Sequence, residues 1–391
     1  MKIVHTADWH LGKLVQGIYM TEDQRYILRE FIKDMQSIQP DVIVVAGDLY
    51  DRSIPPTEAV QLLDDTFHEL VLTLRIPVIA IAGNHDSASR IDFASSLMEK
   101  SGLHMVGKWH KESPAIRLHD ELGPVDFWPI PFMDPSEVRF ELEDETIRTH
   151  QQAMEKIVAS ISERMDASIR NVFVGHAFVT KGGEQLENDS EGERPLSIGG
   201  TECIDASLFM PFDYAAFGHL HGAHFVLDKK IHYAGSPLKY SISEEKHKKG
   251  YMVIELALDD CTIEKKELIA KRDMRTIEST MADLLTHDRN EDYVFVTLLD
   301  EQPVLSPMEK VRKVYPNAMH VTRKVVYAER NENEQTLQKQ QMSDTELFEA
   351  FYKEMEQKDV PPTTKALFEQ LLEEQLRHER EGGNESCNQN F

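Results

Sequence analysis

Five short apolar runs in this chain are each followed at once by a polar segment, and this pairing limits the folds open to it. The runs are predicted strands at Ile3–Thr6, Val42–Ala46, Val78–Ala82, Val172–Val174 and Tyr214–Phe217. Between the first three, apolar residues at three- and four-residue spacing predict helices over Glu22–Ile38 and Thr57–Leu74. Alternating strands and helices are typical of an α/β domain, and the continuous apolar character of the runs predicts a sheet covered on both faces.

The polar segments contain residue types that bind divalent metal ions. They are Asp8-Trp9-His10, Gly47-Asp48-Leu49-Tyr50-Asp51, Gly83-Asn84-His85-Asp86, Gly175-His176 and Gly218-His219-Leu220-His221. The carboxyl ends of strands in open α/β sheets meet at one edge, where ligands bind, so we expect these side chains to converge. Glycine precedes four of the five segments, and it lets the backbone turn sharply as it leaves a strand.

Seven of these side chains are candidate ligands of one dinuclear metal site. They are Asp8, His10, Asp48, Asn84, His176, His219 and His221. Carboxylate, amide and imidazole ligands favour manganese, iron or zinc, and the absence of nearby cysteine argues against a structural zinc site. Asp48 is the expected bridge between two ions, which could then clamp the oxygens of a phosphate ester. We assign His85 to phosphate contact and to protonation of the leaving oxygen, because imidazole can donate a proton near pH 7.

The five segments differ in how specifically they point to a metal. A lone Asp-x-His or Gly-His says almost nothing, because isolated histidines are usually surface or core residues. The Gly-Asn-His-Asp segment after a strand is a strong signal, and the set of five in this order is stronger still. The assignment therefore depends on the whole set.

The middle of the chain contains two longer predicted features. A charged helix is expected from about Ser136 to Met165. The stretch Lys181–Gly200, with glycine pairs at both ends and acidic residues between them, shows no periodicity and is predicted to be a loop. A functional loop and a disordered surface insertion remain open for it.

The pattern changes after about residue 270, which predicts further domains. Residues 271–328 are expected to form a small α+β domain, with a helix at Ile277–Thr286, a strand at Tyr293–Leu299, a short helix at Pro307–Val314 and a strand at His320–Val326. Residues 329–342 are a predicted polar linker, 343–380 a helical tail with two apolar stripes, and 381–391 a disordered end. Pattern alone does not decide whether the tail packs on residues 1–270, the predicted first domain, or on a partner.

Composition restricts the class of protein. The 391 residues have a net charge of −25, which argues against nucleic-acid binding through a broad basic surface. Part of that charge is local, since residues 329–391 contain 7 Lys/Arg against 15 Asp/Glu. The cluster Lys246-His247-Lys248-Lys249 is the densest basic one; a solvated turn is favoured there over a phosphate contact.

The expected compartment is the cytoplasm. No run of apolar residues approaches the ~18 needed to span a membrane, and the N-terminus has no signal-peptide core. The three cysteines, Cys203, Cys261 and Cys387, are widely separated and odd in number, which is typical of free thiols in a reducing compartment.

The order of the five segments resembles that of the calcineurin-like metallophosphoesterases. Two stretches, His5-Thr6-Ala7-Asp8-Trp9-His10-Leu11-Gly12 and Ala234-Gly235-Ser236-Pro237-Leu238, are similar to the bacterial double-strand-break repair nucleases of that superfamily. The resemblance covers nearly the whole chain, although for the tail it is one of architecture only.

This resemblance implies a two-sheet β-sandwich flanked by helices, with a small α+β capping domain and a C-terminal helical tail. It also implies two manganese ions, one held by Asp8, His10, Asp48 and His221, the other by Asp48, Asn84, His176 and His219. The implied activities are ATP-dependent exonuclease action on DNA duplex ends and endonuclease action on single strands and hairpins, in DNA repair, recombination and replication. The implied assembly is a nuclease dimer with two copies of an ATPase that has a long coiled coil, bound through the tail.

One position departs from part of the family. Some archaeal relatives have histidine where this chain has Asp51, so the resemblance does not assign Asp51 a catalytic role, and an orienting contact to a ligand is equally open.

Two other functions compete with the nuclease. A metallophosphoesterase acting on a small nucleotide or phosphoprotein would need the same seven ligands, but it would not need a second domain and a helical tail. A non-catalytic scaffold is disfavoured because all seven positions and His85 are filled.

Overall fold

The structure is a computed structural model, and it describes residues 1–183, 203–324, 345, 348–349, 351–353 and 358–368. The chain divides into two compact units, Met1–Lys324 and Val325–Phe391. The predicted linker at 329–342, the end at 381–391 and most of the Lys181–Gly200 loop lie outside the described residues. Within the described ranges, no helix has the length and apolar character needed to cross a membrane.

Two six-stranded sheets form the body of the larger unit. The strand order of the first sheet is Cys261–Glu267, Gly250–Leu256, Lys2–Thr6, Val42–Ala46, Val78–Ile81 and Leu103–Val106. The order of the second is His224–Val226, Asp228–Tyr233, Tyr214–Gly218, Arg170–His176, Gly123–Ile130 and Ile116–Asp120. In each sheet the strands that lead into the polar segments run parallel, so their carboxyl ends share an edge. The predicted two-sheet fold is confirmed.

Three apolar cores hold the sheets between two layers of helix. The sheets pack face to face through fully buried side chains such as Ile3, Val172 and Tyr214. Two further cores join the outer face of each sheet to its helices. The strand Val42–Ala46 is buried along its whole length, which is why its sequence is apolar without alternation. Full burial of one such aliphatic side chain stabilises the fold by about 1.5–3 kcal/mol.

The helices near the N-terminus agree with prediction, but the next one does not. Thr21–Ile38 is a helix, and Thr57–Phe67 continues as a π-helical turn over His68–Thr73. The single long helix predicted from Ser136 to Met165 is wrong, because two helices replace it. The remaining α-helices of this region are Pro135–Leu142, His150–Ser162, Ala88–Ile91 and Ser95–Met98.

The break in the predicted long helix has a local cause. Glu143 ends the first helix with a φ of 51°, a left-handed conformation that cannot continue a helix. Thr149 starts the second with a capping box: its hydroxyl accepts from the Gln152 backbone N at 3.2 Å, and the Gln152 side chain accepts from the Thr149 N at 3.3 Å. Ile147 between the helices is fully buried and anchors the connection.

A small parallel sheet follows the sandwich, with its own apolar core. Its strands are Met274–Ser279, Tyr293–Leu298 and His320–Arg323, and its helices are Met281–Leu284 and Pro307–Val311. The helix predicted over Ile277–Thr286 is wrong in its first half, which is strand. Thr280 begins the true helix, because its hydroxyl accepts from the Asp283 N at 3.2 Å.

In the second unit, residues 345, 348–349, 351–353 and 362–368 are helical among those described. The rings of Phe348 and Phe368 stack with centroids 4.1 Å apart, and Lys365 forms an ion pair with Glu349. One residue from each of the two apolar stripes predicted for this tail therefore contacts the other.

Candidate metal centre

The carboxyl ends of five strands meet at one edge of the sandwich, which we call the ligand edge. Three strands come from the first sheet and two from the second. All seven candidate ligands lie there, and all are buried except Asn84, which is half-buried. Residues separated by more than 200 positions in sequence are thus brought within contact distance, as the strand-end argument predicts.

Asp8, His10 and His221 form one half of the site. Their candidate ligand atoms all lie within 4.8 Å of one another, and all three residues are buried. The Nε2 atoms of His10 and His221 are 3.0 Å apart. Both rings therefore face the same small volume, where their lone pairs can bind one cation.

Asn84, His176 and His219 form the other half. The Asn84 side-chain oxygen lies 2.9 Å from His176 Nε2 and 3.1 Å from His219 Nδ1. His176 is fixed from behind, because its Nδ1 lies 2.8 Å from the Ala46 carbonyl oxygen. This contact makes Nδ1 the protonated nitrogen and leaves Nε2 as a ligand atom.

Asp48 lies between the two halves. Its Oδ1 accepts a hydrogen bond from the His85 backbone N at 2.9 Å. Its Oδ2 is 3.6 Å from His10 Nε2 and 3.3 Å from His176 Nε2. One oxygen is thus held by the backbone, while the other faces ligands of both halves, which is the position a bridging carboxylate would need.

The site buries more negative charge than its donors satisfy. Asp8 Oδ2 and Asp48 Oδ2 are buried and have no aligned hydrogen-bond donor. Burial raises the pKa of Asp8 to about 7, although His176 and His221 oppose the shift. A buried acceptor without a partner costs about 1–3 kcal/mol, and a bound cation would remove that cost.

Asp48 and His176 shift each other's pKa in the direction opposite to the effect of burial. Burial alone would raise the pKa of Asp48, but His176, together with His10 and His85, outweighs burial and holds that pKa below its ordinary range. Burial likewise lowers the pKa of His176, yet the charge and hydrogen bond of Asp48, together with Asp8 and the Ala46 carbonyl, outweigh it and raise the pKa to about 10. The histidine therefore supplies a positive charge next to the Asp48 carboxylate.

Four of the seven candidate ligands have backbone conformations that non-glycine residues rarely adopt. Asp8, His10, Asp48 and His219 have φ values of 54°, 45°, 50° and 103°. Such conformations cost of the order of 1–3 kcal/mol each and concentrate at functional sites. The strain is offset by the two packed sheets, which fix where each strand ends.

The glycines of the polar segments are needed mainly because neighbouring residues pack closely against them. Gly47 does have a positive φ of 90°, as a sharp turn requires, but Gly83 and Gly218 do not. A Cβ on Gly83 would lie 2.1 Å from Asp48 Oδ1, and one on Gly218 would lie 2.0 Å from the Ala46 carbonyl oxygen. Glycine is needed at these positions because neighbouring loops approach too closely for a side chain.

His85 lies at the half-buried side of the site, next to His10, with ring centroids 4.8 Å apart. Its Nδ1 is 2.9 Å from the Asp51 carbonyl oxygen, which makes Nδ1 the donor and fixes the ring orientation. The Asp51 carboxylate pairs with Lys13 at 2.8 Å and lies 3.7 Å from His10 Nδ1. Asp51 therefore contacts His85 and His10 from outside, consistent with an orienting role.

Several supporting residues were missed by sequence reasoning. Asp86 accepts hydrogen bonds from the backbone N of Leu49, Tyr50 and Gly83 at 2.9–3.0 Å and so ties the second segment to the third. Gln24 donates to the His10 carbonyl at 2.7 Å. A buried glutamine on an otherwise apolar helix face was the available signal for this contact.

The basic cluster at 246–249 does not behave as one unit. Lys248 is exposed and pairs with Glu267 at 2.9 Å. Lys249 is buried and pairs with the buried Glu244 at 2.6 Å, and Glu244 in turn contacts His221 Nδ1 at 3.0 Å. Lys249 is therefore neither solvated nor available to phosphate, which the sequence could not indicate.

Comparison with protein-family models matches residues 1–223 to the calcineurin-like phosphoesterase family. Residues 270–356 match a domain described as the type 5 capsule protein repressor C-terminal domain. The SbcD subunit of the SbcCD nuclease of Staphylococcus saprophyticus subsp. saprophyticus is 37% identical over 356 residues, which cover 90% of this chain and 92% of that protein.

Solved structures give weaker matches. The protein TT1561 of Thermus thermophilus has a TM-score of 0.39 at 11% identity, over 68% of this chain and 98% of its own. A dimetal phosphatase from Danio rerio has a TM-score of 0.38 at 12% identity, over 69% and 96%. Similarities this low bear on neither substrate nor mechanism.

Proposed function

Because this chain belongs to the calcineurin-like phosphoesterase family and, within it, to the SbcD nucleases, we propose that it is the Mn²⁺-dependent DNA nuclease subunit of an SbcCD-type complex. The family model covers residues 1–223, and the SbcD relative covers 90% of the chain. Its enzymatic class is that of a phosphodiesterase. The observation that supports the site most strongly is the convergence of seven candidate ligands around two buried carboxylate oxygens that lack donors.

The donor set fits two divalent ions. Of the candidate ligands, Asp8, His10, Asp48 and His221 would hold one ion, and Asp48, Asn84, His176 and His219 would hold the other. When bound, the ions would lower the pKa of water and neutralise charge on the phosphate. These ligand types suit manganese, iron or zinc. Manganese is our proposal for both ions, because the resemblance to the repair nucleases implies it.

His85 is proposed to protonate the leaving oxygen. Its Nδ1 is held by the Asp51 carbonyl at 2.9 Å, so Nε2 is the nitrogen that would transfer the proton. General acid catalysis of this kind contributes about 10²–10⁴-fold to a rate. The alternative is that His85 is itself a ligand, since its nitrogen, one of His10 and a carboxylate oxygen of Asp51 lie within 4.8 Å of one another.

DNA is the proposed substrate. The ligands specify phosphate chemistry and do not distinguish DNA from a small nucleotide or a phosphoprotein. The relative named as a nuclease subunit matches along almost the whole chain, including the small sheet beyond the phosphoesterase domain. We propose exonuclease action on duplex ends that depends on ATP hydrolysis by the partner, and endonuclease action on single strands and hairpins, during repair, recombination and replication.

The small sheet, in residues 271–328, is proposed to cap the site and position DNA. It packs on the N-terminal body through a core that joins Met274 and Tyr293 to Val15 and Met20, which lie just beyond the first candidate ligands. Arg272 strengthens this junction with two contacts of 3.0 Å to the Asp23 carboxylate. A unit anchored so near Asp8 and His10 could control what reaches them.

The proposed partner is an SbcC-type ATPase with a long coiled coil, bound by the tail at 343–380. Two copies of each subunit would form a heterotetramer around a nuclease homodimer. The helices of the first hundred residues are the proposed contact between two nuclease chains, and Phe93 and Leu97 in this segment are 78% and 72% exposed. The compartment proposed for such a complex is the cytoplasm.

A hairpin substrate tests the proposal directly. An end-labelled hairpin duplex should be opened in Mn²⁺, and duplex ends should be degraded only when SbcC and ATP are added. Brisk hydrolysis of a cyclic dinucleotide, with no hairpin cleavage in any combination, would favour the small-nucleotide alternative.

The role of the tail is tested by deletion of Ser343–Phe391. The truncated chain should still cleave short single strands in Mn²⁺, because the ligand edge lies wholly within Met1–Lys324. It should no longer co-purify with SbcC. Undiminished co-purification would contradict the proposed contact.

A further inference from the structure

A buried carboxylate and lysine lie behind His221, on the side of its ring away from the other ligands. His221 Nε2 faces His10 at 3.0 Å, while its Nδ1 faces Glu244 Oε1 at 3.0 Å. The second carboxylate oxygen of Glu244 is 2.6 Å from Lys249 Nζ. Glu244 has no exposed surface and Lys249 is 8% exposed, so this ion pair is shielded from water.

Lys249 also holds the backbone of His221. Its Nζ donates to the His221 carbonyl oxygen and to Ser236 Oγ, both at 2.8 Å. With Glu244 as the third partner, all three N–H groups of the ammonium are used. One lysine thus fixes both ends of the contact: the histidine backbone and the carboxylate that binds the ring.

The segment Ala234–Leu238 completes this support. Gly235 has a φ of 71°, and a Cβ there would lie 2.7 Å from the His221 carbonyl oxygen. The Ser236 backbone N donates to the same oxygen at 3.3 Å. The glycine and serine in this stretch are therefore needed to bring the chain against His221.

We propose that Glu244 and Lys249 are positioning residues for one of the two metal ions, the one held by Asp8, His10, Asp48 and His221. The inference rests on the proposed function, because it presupposes that His221 binds a metal ion. Glu244 accepts the Nδ1 proton of His221 and so directs the Nε2 lone pair at the ion. Lys249 keeps Glu244 charged and in place.

The chemistry of metal-bound histidine explains why this arrangement matters. A carboxylate on the far nitrogen fixes the tautomer and makes the imidazole a stronger ligand, and loss of such a partner typically costs about 10–100-fold in metal affinity. A buried carboxylate is costly without a counter-charge, which Lys249 supplies.

The second ion would not receive the same support. His176, one of its ligands, has the neutral carbonyl of Ala46 at 2.8 Å from Nδ1, and the carboxylate oxygen recorded near that atom, Asp8 Oδ1, is 4.0 Å away, beyond hydrogen-bond distance. An effect of Glu244 on metal binding should therefore be confined to the ion of His221. A merely structural ion pair would affect both ions or neither.

The test is a titration of the full-length metal-free chain with Mn²⁺, in which the affinity for each ion is measured by electron paramagnetic resonance and by calorimetry. Glu244→Gln should weaken one of the two ions about 10–100-fold and leave the other unchanged. Glu245→Gln is the matched control, since the neighbouring carboxylate accepts from Thr276 N and Oγ1, at 2.8 and 2.9 Å, and not from His221 or Lys249 among the contacts of the described residues. Lys249→Met removes the second positioning residue, and Lys248→Met, at the exposed neighbouring lysine, is its control.

A double variant guards against misfolding. Glu244→Gln combined with Lys249→Met removes both buried charges, so neither is left unpaired, and it should show the same selective loss of one ion as Glu244→Gln alone. Wild-type affinity for both ions in the folded double variant would overturn the inference, as would an equal loss at both. If the unaltered chain bound no Mn²⁺, the proposed function itself would fail, and this outcome is distinguishable from the others.

Discussion

Carboxylates lie at both ends of the sandwich, but their charges are satisfied in different ways. At the ligand edge, Asp8 and Asp48 each keep a buried oxygen without a donor. At the opposite end, which we call the far end, Asp120 accepts from both terminal nitrogens of Arg170, at 2.8 and 2.5 Å, and pairs with the Met1 amino group at 2.5 Å. The far end also joins the sheets, since Arg170 donates to the Leu256 carbonyl oxygen at 2.9 Å.

This difference separates the residues that stabilise the fold, at the far end, from the residues proposed to bind metal, at the ligand edge. The Asp120 cluster is satisfied by the protein itself, so its role can be understood as holding one sheet to the other. The ligand edge holds four non-glycine residues with positive φ and two buried carboxylate oxygens without an aligned hydrogen-bond donor. Strain and unpaired charge are tolerated where a bound ion offsets them.

The largest expected effects are at the ligand edge. Asp48→Ala should lose metal and cleavage together, with turnover reduced about a thousandfold or more, because metal ions supply several kcal/mol of transition-state stabilisation. His85→Ala should keep its metal but lose about 10²–10⁴-fold in turnover. Metal content and single-turnover cleavage measured on the same samples check both. Equal metal loss in the two variants would make His85 a ligand instead of the acid.

The next largest effect is on stability at the far end. Asp120→Asn should lower the free energy of unfolding by about 3 kcal/mol, because it leaves the buried Arg170 without its counter-charge. Mn²⁺ binding should not change. Chemical denaturation and metal titration of the same variant provide the check, and a loss of metal affinity comparable to that of Asp48→Ala would remove the distinction between the two ends.

This stability difference should depend on pH. The Arg170 guanidinium holds the pKa of Asp120 well below its ordinary value of 3.8. The contribution of the carboxylate is therefore fully present above about pH 4 and is lost as the pH falls below that value. The gap between wild type and Asp120→Asn should shrink in acid, and a gap that widened would contradict the sign.

The smallest expected effect is a gain in stability. In the metal-free protein, Asp8→Asn should raise the free energy of unfolding by about 1 kcal/mol, since it removes a buried charge at a site optimised for function. The amide oxygen can still accept from the His219 backbone N, which now donates to Asp8 Oδ1 at 2.9 Å. Added Mn²⁺ should reverse the order, stabilising wild type more than the variant.

Sequence patterns identified the candidate ligands, but they did not identify the residues that position these ligands. The seven candidate ligands could be found because they form a recognisable set of residue types directly after five apolar runs. Glu244 and Lys249 could not be found in this way, because they precede the strand Gly250–Leu256, whose place in the sheet is set by its pairing with Lys2–Thr6. That pairing joins residues some 250 positions apart, and no local pattern specifies it.

Two errors in the predicted fold have different causes. The helix break at Glu143 is local, since it depends on a single left-handed residue in a sequence whose charge pattern continues smoothly. The strands Leu103–Val106 and Ile116–Asp120 were not predicted; they lie at sheet edges and are only partly buried, so their apolar signal is weak. Their strand conformation depends on pairing with a neighbouring strand instead.

The most direct test of this account is anomalous X-ray diffraction from crystals of the protein grown with Mn²⁺. We expect two manganese peaks about 3.5–4 Å apart, as in other two-metal sites, with Asp48 contacting both and His221 contacting only one. A single peak, or peaks away from the seven side chains of the ligand edge, would contradict it.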